Sequence, residues 1–237
     1  MTGAAGSHRI LAALVLLVAG LTAPAWSQGL DPGILRAMAG SWLIAPQDGR
    51  PGCRVTLQTN STIGGYGIAL GPDCARLMPR LADVAAWNPV DGLKLVDATR
   101  RNVLEFREAE DASYAAPEPS PGYALVRAPD HVTRLPMASD AFGTWVMKRP
   151  DGEVVCRIQL LDRPPPGGQE SYAVRVVREG CQGAVTRLKL ASWRMEMLKL
   201  VLYGLDGNSL SFVQTPAGFA KAPEEGGRPL IMERAPR

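Results

Sequence analysis

Four cysteines, one histidine beyond residue 8 and two pairs of adjacent carboxylates are the residues of this chain whose types could do chemistry. The histidine count decides most. A zinc site with two His ligands cannot be assembled from His131 alone. A Ser-His-Asp or Cys-His nucleophile would need the same residue. His131 stands in a proline-punctuated linker, a poor place to build a catalytic cleft. The cysteines Cys53, Cys74, Cys156 and Cys181 form no C-x-x-C pair. Glu110-Asp111 and Glu224-Glu225 are adjacent acids in polar loops, a pattern of solvated faces; a carboxylate-based hydrolase is the catalytic reading left open. Gly167-Gly168 and Gly226-Gly227 read as turn glycines, and no glycine-rich phosphate loop sits between a strand and a helix. The chain therefore reads as a non-enzyme without metal or other cofactor.

The cysteines are better suited to staples. They recur with the tryptophans as a frame: Trp42, Cys53, Cys74, Trp87, then Trp145, Cys156, Cys181, Trp193. With Phe106 and Phe212, every landmark returns 103 to 107 residues later, which marks an internal duplication. The duplication favours the pairs Cys53–Cys74 and Cys156–Cys181 among the three possible connectivities. Each bridge would close a loop of some two dozen residues and contribute about 3 kcal/mol.

An oxidising compartment is expected from the N-terminus. Arg9 ends a short positive region, and Ile10 to Leu21 is apolar and uncharged. Ala23-Pro-Ala25 and Ala25-Trp-Ser27 offer small residues for cleavage. The apolar run is well short of the roughly 20 residues that span a bilayer, so residues 1–27 read as a secretory signal peptide. No cysteine follows it to carry a lipid, so the mature protein is expected to be periplasmic or secreted, with no stable membrane insertion after cleavage. The net charge of +3 falls further when Arg9 is removed, which leaves no basic footprint for nucleic acid. Residues 40–128 carry 9 basic and 10 acidic side chains and residues 141–237 carry 14 and 10, a mild asymmetry on solvated faces.

Elements that would hold the frame are short strands. Pro32 and Gly33 break the leader, and Ile34 to Met38 could form one helical turn. From Gly40 the apolar period is two: Trp42, Ile44, then Cys53, Val55 and Leu57, with polar or small neighbours. Gln47–Gly52, Asn60–Thr62 and Gly64-Gly65 supply turns. Further strands are expected at 66–70, 93–96, 103–107 and 123–127, with 74–86 irregular or briefly helical. The second copy repeats the order at 144–147, 154–160, 172–177, 198–202, 210–213 and 230–234. Arg163-Pro-Pro-Pro-Gly-Gly168 enlarges one of its turns. The pattern is all-β, a sandwich or barrel per repeat, with domains at 40–128 and 141–237, an N-terminal segment at 28–39 and a linker at 129–140. Arg127 and Arg234 hold matching places on the final strands. In an up-and-down barrel the last strand meets the first, so each guanidinium is expected over Trp42 or Trp145 as a closing lid.

The ordered frame resembles a family of bacterial protease inhibitors, the alkaline metalloproteinase inhibitors and related outer-membrane inhibitor lipoproteins. Repeat one carries it in Gly40, Trp42, Cys53, Leu57, Cys74, Trp87, Gly92, Leu93, Leu95 and Phe106; repeat two in Gly143, Trp145, Cys156, Leu160, Cys181, Trp193 and Phe212. The resemblance implies two tandem, lipocalin-like, eight-stranded antiparallel up-and-down barrels, each with one disulfide. It implies a secreted protease as partner, a zinc metalloprotease ahead of a serine protease. In that family the segment ahead of Gly-x-Trp enters the protease cleft, its amino end approaching the catalytic zinc. The candidate protease-contacting segment here is then Gln28, Gly29, Leu30 and Asp31. Its sequence departs from the family's inhibitory segment, and a leading glutamine can cyclise. Thr133-Arg-Leu-Pro136 looks more like the family's leader but is internal, and the duplication itself departs from single-domain inhibitors. The alternative reading is a non-inhibitory lipocalin-like binding or cell-envelope structural module, with little spare room inside so small a barrel.

Overall fold

The computed structural model describes residues 31–109, 112–168, 170–177 and 180–236. The expected signal peptide, and Gln28, Gly29 and Leu30 of the candidate segment, lie outside the described residues. The described residues form two closed eight-stranded antiparallel barrels in which sequence neighbours are sheet neighbours. Barrel 1 runs β1 (Gly40–Pro46), β2 (Cys53–Thr62), β3 (Gly65–Leu70), β4 (Val84–Asn88), β5 (Leu93–Asp97), β6 (Asn102–Glu108), β7 (Tyr114–Ala116) and β8 (Tyr123–Val126). Barrel 2 runs β9 (Gly143–Lys148), β10 (Val154–Leu160), β11 (Tyr172–Val177), β12 (Leu190–Glu196), β13 (Lys199–Gly204), β14 (Ser209–Thr215), β15 (Gly218–Lys221) and β16 (Ile231–Arg234). Closure is by β1 with β8 and by β9 with β16, which removes the sheet edges.

The two copies share register. Trp42 pairs with Val55 and Trp145 with Ile158; Trp87 pairs with Leu95 and Trp193 with Leu202. Alternation then sends Trp42, Val55, Leu57, Trp87, Leu95 and Phe106 inward, with Trp145, Ile158, Trp193, Leu202 and Phe212 as their counterparts. Fully burying an aliphatic or Phe side chain of this kind stabilises by about 1.5–3 kcal/mol. Disulfides Cys53–Cys74 and Cys156–Cys181 staple one barrel each. Among the described residues four short α-helices sit between or ahead of the strands: α1 (Pro32–Met38), α2 (Cys74–Leu77), α3 (Ala138–Ala141) and α4 (Gly183–Arg187).

Four strands, β4, β7, β12 and β15, were not expected from periodicity, and Tyr114-Ala-Ala of β7 is too short to show one. Val84-Ala-Ala-Trp and Leu190-Ala-Ser-Trp-Arg-Met-Glu are rich in small or helix-favouring residues, and barrel closure overrides that weak local preference. Gly218-Phe-Ala-Lys is too short to show a period. Asn60-Ser-Thr62 is the exposed end of β2 and not a turn, because β2 and β3 extend as a hairpin that pairs Thr62 with Gly65. β1 does not alternate either: Trp42, Leu43, Ile44 and Ala45 are all buried. Its outer face is covered, and Leu43, Ala45, Ala124, Val126, Val132 and Leu135 form a third apolar cluster outside barrel 1.

Candidate functional site

The site grows from the segment ahead of each first strand. In barrel 1 that leader is α1, a seven-residue helix. Pro32 fixes a helical φ at its start, where no backbone N–H is needed. Leu35 and Met38 pack against the barrel core, while Ile34 stays 51 % exposed. Two polar contacts fix the helix end. The Trp42 indole N–H donates to the Met38 carbonyl at 2.8 Å. The Arg127 guanidinium donates to the carbonyls of Ala37 at 2.6 Å and Ala39 at 3.0 Å. The same guanidinium lies over the Trp42 ring, 4.2 Å from its centroid. A cation stacked on indole contributes about 0.5–2 kcal/mol.

Barrel 2 repeats the arrangement residue for residue. The Trp145 indole donates to the Ala141 carbonyl at 2.7 Å. Arg234 donates to the carbonyls of Phe142, at 2.9 Å, and Asp140, and lies 4.8 Å from the Trp145 ring centroid. The glycine of each Gly-x-Trp is explained here. Gly40 has φ +114° and Gly143 φ +123°, and a Cβ on either would come within 3.2 Å and 3.1 Å of an Arg Nη1. The left-handed backbone favours glycine, and the guanidinium would have to shift to admit a Cβ.

The surroundings of the two leaders differ. Asp31, the described member of the candidate segment, is exposed and directly precedes α1. The leader of barrel 2 is the linker, and barrel 1 holds it along its length. Arg54 donates to the carbonyls of Ala128 at 2.5 Å, Pro129, and Val132 at 2.9 Å. The Gly52 N–H donates to the Thr133 carbonyl at 2.9 Å. Val132 and Leu135 are buried on the outer face of β1 and β8. Arg134 forms a two-pronged ion pair with Asp140, at 2.7 and 2.9 Å. Asp140 also accepts the Met137 N–H at 2.8 Å. The Arg134 guanidinium, opposed in part by burial, holds the Asp140 carboxyl below the usual aspartate range. His131, which a nucleophilic site would have needed, is exposed in this strap.

Arg54, Leu43 and Ala45 were not singled out by sequence reasoning. A signal existed for two of them: Trp42-Leu43-Ile44-Ala45 is continuously apolar, whereas Trp145-Val146-Met147-Lys148 returns to a charge. A strand without alternation is one covered on both faces. Arg54 gave no signal, since its counterpart Arg157 is exposed.

The barrel interiors are filled by their own tryptophans and phenylalanines; Trp87, Trp193, Phe106 and Phe212 are all inaccessible to solvent. Among the described residues no cluster of His, Cys, Asp or Glu could hold a metal, and no helix is long and apolar enough to cross a membrane. The result is two plugged barrels, each with a leader anchored to its first and last strands. The family model described as protease inhibitor Inh matches residues 34–126 and again residues 135–234, and the chain belongs to this family of protease inhibitors. No individually curated protein matches it.

Proposed function

We propose that this chain is exported, cleaved after Ser27, and inhibits a secreted zinc metalloprotease in the periplasm or outside the cell, with residues 28–31 entering the protease cleft. The supporting observation is the base from which that segment departs. α1 is held by the Trp42–Met38 hydrogen bond, by Arg127 on the carbonyls of Ala37 and Ala39, and by Leu35 and Met38 in the core. A short segment leaving a fixed base loses less conformational freedom on binding than one leaving a loose chain. Family membership supports protease inhibition, and the resemblance to metalloproteinase inhibitors favours zinc enzymes among the targets. The filled interiors argue against carriage of an apolar ligand.

The test compares chains beginning at Gln28 and at Pro32 against secreted zinc metalloproteases and against serine proteases. The longer chain is expected to inhibit a zinc enzyme, and loss of residues 28–31 is expected to weaken inhibition at least about 100-fold, near 2.7 kcal/mol. Equal inhibition by both chains would remove the segment from the mechanism. Inhibition of serine proteases alone would move the target class. N-terminal sequencing of the exported protein checks the cleavage site.

A further inference from the structure

The duplication gives the molecule two of every feature, including two ends from which a leader departs. Those ends are not equally accessible. In barrel 1 the leader helix shows Ile34 to solvent, and the β4–β5 turn shows Val90, 54 % exposed. The same two elements of barrel 2 are in contact with barrel 1. Its leader is the strap held by Arg54 and by the Gly52 N–H. Its β12–β13 turn, Met197-Leu198, packs against the cluster that Leu43, Ala45, Ala124 and Val126 of barrel 1 form with Val132 and Leu135 of the strap. Met137, the last residue before α3, lies so close to Gly49 of the β1–β2 turn that a Cβ there would sit 2.5 Å from its Cγ.

We infer that the tandem has a single protease-docking end, that of barrel 1, and that the equivalent end of barrel 2 has become the joint between the barrels. This rests on the reading of barrel 1's leader as the inhibitory segment. The chemistry favours it in three ways. A leader threaded between two barrels has no amino end to offer a zinc ion. Its carbonyls are taken up by Arg54 and Gly52, so entering a cleft would strip hydrogen bonds that a protease would have to replace. Moving the β12–β13 turn away would take Met197 and Leu198 off this apolar cluster and expose apolar surface on both sides to water. The joint also couples the barrels through named groups. Arg54 holds the strap, Arg134 in the strap holds Asp140, and the Asp140 carbonyl accepts Arg234, which lies over Trp145.

The experiment uses the whole mature chain. Titration calorimetry and light scattering with an inhibited protease are expected to give one protease per chain. A chain beginning at Pro32 is expected to bind none. Two proteases per chain, or binding retained within tenfold by the shorter chain, would overturn the inference. A second measurement is independent of any protease. Hydrogen exchange at the Gly52 amide is expected to be at least tenfold slower in the native chain than in Leu198→Asp or in Arg54→Ala, each of which opens the joint from a different side. Unprotected exchange at Gly52 in the native chain would overturn the joint. If no protease of any class binds the full chain while Gly52 is protected, the inhibitory reading of the leader fails and the single-end inference falls with it, leaving the joint as a structural element.

Discussion

Barrel 1 and barrel 2 place the same Trp–Arg lid over the same carbonyls, yet the residue under that lid differs where it matters. Arg127 bonds the carbonyl of Ala37 and Arg234 that of Asp140, at matching positions. Ala37 offers nothing more. Asp140 adds a carboxylate that grips Arg134 and ties the strap to barrel 2. One side chain thus separates a leader that carries only its own helix from a leader built into an interdomain joint. A second difference is inside. The Trp87 indole donates to the Gln58 carbonyl at 2.9 Å. Among the described residues the Trp193 indole N–H is buried without a partner, and β10 ends at Leu160, before the position that matches Gln58 of β2. Trp193 keeps the tyrosine contact that Tyr66 makes with Trp87 at 5.4 Å, here Tyr172 stacked at 5.0 Å, and adds Phe142 edge-on at 5.7 Å. A duplicated core can therefore keep its shape while losing a hydrogen bond, provided that aromatic contact replaces part of the energy.

The comparison can be pressed hardest at the lid. Arg127→Ala and Arg234→Ala should each destabilise by about 1–3 kcal/mol, through loss of the stacked cation and its bonds to carbonyls. In inhibition assays they should part company: Arg127→Ala loosens the base of the working leader and weakens inhibition, while Arg234→Ala leaves it within about twofold. Equal losses of inhibition would mean that both lids serve the docking end. Denaturant unfolding together with inhibition constants reads both effects.

A finer contrast comes from the inner tryptophans. Trp87→Phe loses ring volume and leaves the Gln58 carbonyl unpartnered, whereas Trp193→Phe loses volume alone. The first should cost about 1 kcal/mol more than the second, and unfolding midpoints at matched slopes would show it. A larger cost at Trp193 would mean that its stacking outweighs the hydrogen bond.

The smallest effect is on pH. Arg134 lowers the Asp140 pKa in the folded chain. A carboxylate depressed on folding adds stability above its unfolded pKa of about 3.9 and loses it as pH falls through the lower folded value. Both side chains are more than a third exposed, so solvent screens the pair. Protection of the Gly52 amide should therefore hold from pH 7 down to about pH 4 and fall below it, and Asp140→Asn should flatten that acid limb. An unchanged limb in the variant would assign the acid sensitivity elsewhere.

Much of the scaffold is legible in the chain because it rests on local rules and on repetition. Gly40, Trp42, Cys53, Cys74 and Trp87 return at near-constant spacing, and a landmark that returns in order fixes the repeat, the pairing of cysteines and the inward face of most strands. β4, β7, β12 and β15 escaped because they are short or rich in residues with little strand preference of their own, and they form strands only where a barrel needs closing. The lid was legible as a register argument: if the last strand meets the first, Arg127 faces Trp42 and Arg234 faces Trp145, and the guanidiniums do lie over those rings.

Period, turn chemistry and duplicated landmarks act within each repeat, so two stapled, plugged barrels of a protease-inhibitor family follow from the chain alone. The tertiary structure alone decided that the two leaders are unequal. That distinction depends on Arg54 reaching carbonyls more than 70 residues away and on the β12–β13 turn settling against the wall of barrel 1. Such contacts join residues distant in the chain and leave no periodic trace, so they become visible only when both barrels are folded side by side.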